Sequence, residues 1–506
     1  MTVLRPGQKS RENNRLVTWA CALAVAIVAV VLRIPYCYES FWIDELHTAW
    51  AVWAEFDKVT DRAAAGNQTP LYFHGVWLWK AVFGPSEFAL RMSSVLATSA
   101  AAALSVLGLK HVTGRLSAGL IAGAILTVES NSMFFGTELR PYSVVMLLSV
   151  IATWTTALAI QAKDSKLAAR YRLAVVVTVC LATLVHPTSV IVLGLLLAIV
   201  LGASGKGFTR IDAVSIIVAI VTLLLLMDSS LGETWARRGQ WKAIARATSV
   251  SQFFLFWPWI STVVLPLAFG LIAIRKLSWR DTAVASVPML VAILATGLIF
   301  IASYSGWIYL WFWRYVIAAL PLLAWSAGAW ATMLFPFRSK YLDVVLLLVI
   351  ASVMIGTLTW RQGRFEKVKT TNGESKWTIR PYAQRNEGWR SAVAFVNQRK
   401  QPGDEVWLDS ALIEASVLQT KSGAKIETDT PDFYRYLLYP TSGPYAVAAT
   451  PVSLHRARPT PGVWLVSRSR FQTLRHWIGD KSNTTKRFVG RNGRIHVVRI
   501  NGPGED

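Results

Sequence analysis

The stretch RENNRLVTWACALAVAIVAVVLRIPYCYESFWIDELH, residues 11–47, decides the fold. Its centre, Leu16 to Leu32, carries no charge. With its flanks it approaches the roughly 20 residues that cross about 30 Å of hydrocarbon as a helix. Arg5, Lys9, Arg11 and Arg15 precede it, so the positive-inside rule predicts a cytoplasmic N-terminus and an external segment from Tyr36 onward. The run is longer than a signal-peptide core, and Arg33-Ile34-Pro35-Tyr36 offers no small-residue cleavage site, so it reads as a retained anchor.

Outward from this stretch the same pattern repeats. Of 506 residues, 53% are hydrophobic and 16% charged, against roughly 25% charged in soluble domains, which points to a membrane protein. Further spans are expected at 86–109, 116–135, 141–160, 172–187, 188–204, 211–228, 253–274, 283–303, 314–334 and 341–360, about eleven crossings with the first. Lysines and arginines cluster at alternate ends of these runs. The formal net charge of +23 therefore reads as topology signal and membrane-surface charge, and nucleic acid is excluded as a partner. One loop breaks the rule: 228–252, expected outside, holds Arg237, Arg238, Lys242 and Arg246. Residues 36–84, rich in tryptophan and acid, read as amphipathic helices of the interface. Cys21 and Cys180 lie in apolar runs and Cys37 stands alone, so no disulfide framework is expected.

After Trp360 the composition turns polar. A helix-like stretch at Gly388 to Lys400 is followed by strand-like runs at Glu405 to Leu408, Tyr445 to Ala449, Val463 to Ser467 and Arg494 to Ile500. The expected architecture is a polytopic α-helical membrane domain over 1–360, with a first external loop at 36–84. A soluble α/β domain follows over 361–506, placed outside the cytoplasm by the odd number of spans.

Several ionisable residues fall on that expected outer face. Asp44 and Glu45 are adjacent carboxylates among tryptophans; partial desolvation raises a carboxylate's pKa and suits it to take a proton from an attacking hydroxyl. Their plainer reading is the polar end of a loop. Glu138 and Arg140 stand between two apolar runs, where ionisable groups are costly and mark binding sites, or form a structural pair before Pro141. His186-Pro187 interrupts Val175 to Leu201, and a lone histidine is more often structural than functional. Arg314 adds a cation that by itself suits an interfacial anchor. Together, carboxylates to activate a hydroxyl and cations to hold a departing phosphate are what glycosyl transfer from a lipid phosphate requires. No ligand-spaced cluster of His, Cys or acids is present, and neither metal nor cofactor is required.

The order of these pieces resembles the family 39 and protein O-mannosyltransferase-like glycosyltransferases of the GT-C superfamily, which include the lipid A aminoarabinose transferases. The resemblance runs through Trp42-Ile43-Asp44-Glu45, Thr69-Pro70-Leu71-Tyr72-Phe73, Gly84-Pro85-Ser86-Glu87-Phe88-Ala89-Leu90-Arg91 and Glu138-Leu139-Arg140-Pro141-Tyr142. It continues with His186-Pro187 and Arg314-Tyr315-Val316-Ile317-Ala318-Ala319-Leu320-Pro321. It implies a polyprenyl-phosphate sugar as donor, inversion at the anomeric carbon, Asp44 as base and Glu45 in support. Tyr72 and Tyr142, inside these motifs, join Glu138, Arg140, His186, Arg237, Arg238, Lys242 and Arg314 as candidate substrate-binding residues. The chain departs from the pattern at Gln68-Thr69-Pro70, where relatives often have His-Pro-Pro, and at Thr137-Glu138-Leu139-Arg140, where they commonly have Gln-Glu-Ala-Arg. The expected partners are the bilayer, the lipid-linked donor and a glycan, lipid or protein acceptor. The competing readings are a transporter or flippase of an anionic or lipid-linked solute, for which repeated architecture and midplane charges are expected, and a noncatalytic scaffold.

Overall fold

The long apolar runs form helices because a bilayer leaves the backbone no other partner for its polar groups. The computed structural model describes residues 6–202, 208–227, 238–243, 245–271, 278–333, 352, 356, 365–369, 375–379, 387–412, 431–452, 454, 460–478, 486–489 and 494–500. Five described helices are long and apolar enough to cross a membrane: Arg15–Tyr38, Glu87–Thr113, Tyr142–Gln161, Ser165–Val185 and Trp279–Tyr304. Shorter apolar helices are Leu116–Val128, Ser189–Gly202, Ile260–Leu271 and Ala319–Ala331. The span expected at 341–360 lies outside the described residues apart from Ser352 and Gly356, as does Arg237.

Several boundaries differ from the expected ones for local reasons. The run 116–135 breaks after Val128, because the Glu129 carboxylate caps a new helix, Ser130–Phe135, accepting the Ser132 amide at 2.8 Å. The helix expected from 172 begins at Ser165, where Asp164 accepts the Leu167 amide at 2.9 Å. Arg172 is thus inside a helix, buried against Asp212 in a two-pronged ion pair. The run 253–274 is interrupted at Trp257-Pro258, with helix resuming only at Ile260; proline removes a ladder donor and restricts the residue before it.

By packing, the chain forms two compact units, residues 1–35 with 92–383 and residues 36–91 with 384–506. A cut at 360 therefore follows composition, whereas packing groups residues 36–91 with the C-terminal segment. In the first unit, close helix crossings depend on missing side chains. A Cβ on Gly328 would lie 2.2 Å from the Ala118 carbonyl, and one on Gly119 would lie 2.4 Å from that of Val106. Small residues let backbones approach where lipid supplies no hydrophobic drive. Arg33, fully buried, donates to the carbonyls of Leu126 (3.0 Å) and Thr127 (3.2 Å), so a cation meets the exposed carbonyls at a helix C-terminus. The strands β1 (Phe365–Lys369) and β2 (Ser375–Ile379) form an antiparallel pair.

The second unit joins distant segments. Its 36–91 part folds as the helices Ile43–Trp53, Val59–Ala65 and Pro70–Phe83 and the start of Glu87–Thr113. Its C-terminal part carries a five-stranded sheet in the order β4-β3-β5-β7-β6, from β3 (Glu405–Asp409), β4 (Thr450–Pro451), β5 (Val463–Ser467), β6 (Lys486–Val489) and β7 (His496–Arg499). The helix Trp389–Arg399 falls within the expected 388–400. The strand expected at Tyr445 to Ala449 is irregular instead: the Val447 amide bonds back to the Thr441 carbonyl (3.1 Å), outside the sheet. Tyr445 turns its hydroxyl to accept the Phe41 amide (2.9 Å) and to donate to Glu87. His47 is boxed by Trp50, Phe73, Tyr436 and Tyr439 at 5.5 to 6.1 Å.

At the centre of this unit Glu45 and Arg91 form a fully buried ion pair. The Arg91 Nε donates to Glu45 at 2.8 Å, and its remaining donors take the carbonyls of Cys37, Glu39 and Ser40. Removing one partner leaves a buried charge unmatched, at about 3–5 kcal/mol. Glu45→Ala or Arg91→Ala should therefore lower the thermal midpoint and yield of the detergent-purified protein sharply. The double replacement Glu45→Leu with Arg91→Met should recover part of the loss.

Candidate functional site

The first unit gathers a cluster around His186. The helix Ser165–Val185 stops there because a residue before proline is pushed toward extended backbone, and His186 has φ −154° and ψ 111°. The ring is 4% exposed, edge-on to Tyr142 (5.2 Å between centroids) and parallel to Tyr315 (6.5 Å). Burial, then the charges of Arg140 and Arg314, push its pKa down to about 3, so at neutral pH the imidazole is uncharged under the influence of two guanidinium charges.

Arg140 arrives on the turn after Glu138. The Arg140 amide donates to the Glu138 carbonyl (2.8 Å), which also accepts the Ser94 hydroxyl (2.6 Å). Glu138 is fully buried and Arg140 is 6% exposed. Arg314 sits in a single 3-10 turn, Trp313–Tyr315, its guanidinium 5.1 Å from the Tyr315 ring centroid and 5.6 Å from that of Trp241. Nearby chain is held by Trp311, whose amide donates to the Ala245 carbonyl (2.9 Å). Both ring nitrogens of His186 and the hydroxyls of Ser143, Thr188 and Ser189 are buried with no hydrogen-bond partner among the described residues. Buried polar atoms in that state are rare in native structures and mark places where water or a ligand completes them.

The structure thus brings together Arg140, Tyr142, His186 and Arg314 of the residues singled out in the sequence. Arg238 opens the 3-10 turn Arg238–Ala243, and Lys242 in the same turn is exposed. In the second unit, Asp44 is half-buried in the first turn of the helix Ile43–Trp53. Glu45 beside it is committed to Arg91, which makes it a support of that turn. Tyr72 is buried edge-on against Phe73 at 5.6 Å. Sequence reading passed over Arg91, Glu387 and Arg468. Arg91 lies inside a quoted motif, but its role depends on a partner 46 residues away.

Among the described residues no three His, Cys, Asp or Glu side chains converge as metal ligands do. A cavity of about 450 Å³ lies away from His186, lined by Lys163, Asp164, Arg172 and Arg280. Those groups serve the fold: Arg172 holds Asp212, Asp164 caps a helix, and Arg280 reaches the Gln161 carbonyl at 3.4 Å. The cavity adds no reacting group.

The state of His186 makes its own prediction. An unfolded chain takes up a proton near pH 6.5, whereas this site resists protonation down to about pH 3. Stability from this group is present above pH 6.5 and is lost as pH falls from there toward 3. At pH 5.5 the loss is about 1.4 kcal/mol. His186→Phe should flatten the fall in thermal midpoint between pH 7.5 and 5.5 relative to the unaltered protein in the same detergent.

No protein-family model matches the chain, and a search of curated proteins finds no sequence match. Solved structures do match. ArnT from Cupriavidus metallidurans bound to undecaprenyl phosphate aligns with a TM-score of 0.52 at 13% identity, covering 97% of this chain and 99% of that one. The apo state of the same protein gives 0.53 at 13% identity, with 98% and 100% covered. The mycobacterial arabinofuranosyltransferase AftD gives 0.48 at 12%, covering 96% of this chain and 40% of that one. Over nearly its whole length the chain has the fold of ArnT from Cupriavidus metallidurans.

Proposed function

We propose that this chain is an inverting glycosyltransferase that moves a sugar from a polyprenyl-phosphate donor to a lipid, glycan or protein acceptor. The observation that carries the reading is the His186 cluster: the charges of two arginines act on an uncharged imidazole, beside buried hydroxyls that no described residue bonds. Guanidiniums match phosphate oxygens with paired donors, and hydroxyls with a neutral ring complete the contacts without adding charge. The fold shared with ArnT, which has been crystallised with undecaprenyl phosphate, supports a lipid phosphate in that role.

Asp44 takes the proton of the acceptor hydroxyl as its oxygen forms the bond to the anomeric carbon. The bond from that carbon to the phosphate oxygen breaks, and the lipid phosphate leaves with the electron pair, stabilised by Arg140 and Arg314. Attack opposite the departing phosphate inverts the centre, as in other single-displacement sugar chemistry. No metal is needed to hold a monophosphate where arginines are available. Lys242 and the basic turn at 238–243 add attraction for the anionic lipid, with Glu138, Tyr142 and Tyr72 as sugar or acceptor contacts. In this reading the N-terminus is cytoplasmic and the reaction takes place at the outer face of a cell membrane.

Purified protein incubated with undecaprenyl-phosphate mannose, arabinose or aminoarabinose and a membrane lipid extract should release undecaprenyl phosphate, detectable by mass spectrometry. Asp44→Asn should cut release at least about 100-fold with membrane insertion intact. Arg140→Gln and Arg314→Gln should each raise the donor KM about tenfold or more, the scale of one charge-assisted contact. Unchanged donor KM in the double variant would remove the phosphate site from this cluster.

A further inference from the structure

Glu387 stands just ahead of Gly388, the N-cap of the helix Trp389–Arg399, 2% exposed, with both carboxylate oxygens engaged. One oxygen accepts the Trp389 indole N–H at 2.8 Å and the backbone amide of Ile43 at 2.9 Å. The other accepts Arg468 Nε at 2.7 Å. Ile43 is the first residue of the helix that carries Asp44, and its amide is one of the unpaired donors with which every helix begins. Trp42 has no side-chain oxygen to cap it, and the carboxylate that does so comes from 344 residues further along the chain.

Arg468 connects the same group to Asp44. Burial acts against its charge, but the Glu387 carboxylate, and after it the charge of Asp44, hold the guanidinium above its ordinary pKa. Coulombic attraction is mutual, so a cation that feels Asp44 also favours the ionised, proton-accepting form of Asp44. Glu387 and Arg468 need not touch a substrate to act in this way.

We propose that Glu387 and Arg468 are positioning residues for Asp44, Glu387 capping the first turn that presents it and Arg468 holding it ionised. The proposal rests on the reading of Asp44 as the base. It assigns the C-terminal segment a part in the reaction beyond choosing or covering an acceptor, since the groups that set the base belong to it.

Two measurements on the full-length protein in detergent test it. Hydrogen exchange followed by mass spectrometry should show peptides covering 43–46 losing protection about tenfold or more in Glu387→Ala and regaining most of it in Glu387→Gln, whose amide oxygen still accepts the Ile43 N–H. Carbodiimide labelling of the protonated Asp44 carboxyl across pH should show its midpoint rising by about half a unit or more in Arg468→Gln, with Arg468→Lys restoring it. A midpoint that stays put in Arg468→Gln, or unchanged exchange at 43–46 in Glu387→Ala, would overturn the positioning role. Full transfer activity in Asp44→Asn would instead overturn the base assignment, so the two failures are distinguishable.

Discussion

A charge taken out of water must meet its opposite or a set of hydrogen-bond partners, and this constraint fixes the main junctions of the chain. Arg33 closes on the carbonyl end of the helix Leu116–Val128. Arg172 closes on Asp212, and Arg91 on Glu45 and three backbone carbonyls. Glu387 closes on Arg468, an indole and an amide. Apolar packing supplies most of the area, but it tolerates sliding. These pairs do not, because any shift strands an ion in a medium that cannot solvate it, and the helices are locked where the pairs form.

The parts of the fold that were legible in the sequence depend on neighbours along the chain. The uncharged run Leu16 to Leu32 sits in the first helix, and the helix-like stretch Gly388 to Lys400 holds the helix Trp389–Arg399. Caps and proline shift other boundaries: Asp164 and Pro258 set them away from the expected ones, and Glu129 caps a new helix, so that one expected span is two helices. The strand at Tyr445 failed for a different reason. Its alternation suits a sheet, but its hydroxyl answers Phe41 and Glu87, groups some 400 and 358 residues away that no local pattern contains.

The candidate site divides along the same line. Asp44, Arg140, His186 and Arg314 stand out as candidates because ionisable residues are conspicuous beside and between apolar runs. Their companions were not found. Arg91 and Arg468 are arginines in a chain of 52 lysines and arginines, and nothing in their immediate sequence distinguishes them. Glu45 looked like half of a catalytic pair by adjacency, yet in a helix successive residues point in different directions. One consequence is that Glu45 turns inward to Arg91, and Asp44 is left half-exposed beside it.

The His186 region is set apart from the buried ion pairs by a neutral ring and by hydroxyls that have no hydrogen-bond partner among the described residues. At Glu45, Asp212 and Glu387 the acids are matched by arginines. Around His186 two guanidinium charges bear on a ring that burial keeps neutral, and the neighbouring hydroxyls of Ser143, Thr188 and Ser189 have no bond from the described residues. Two guanidinium charges acting on a neutral ring, and hydroxyls that no described residue bonds, set two conditions for an occupant. An anion with several acceptor oxygens answers both conditions, whereas a neutral solute would answer only the second. In the proposed reaction that anion is the phosphate of a lipid carrier, and its departure from the sugar is the step at which such a cluster would lower the barrier.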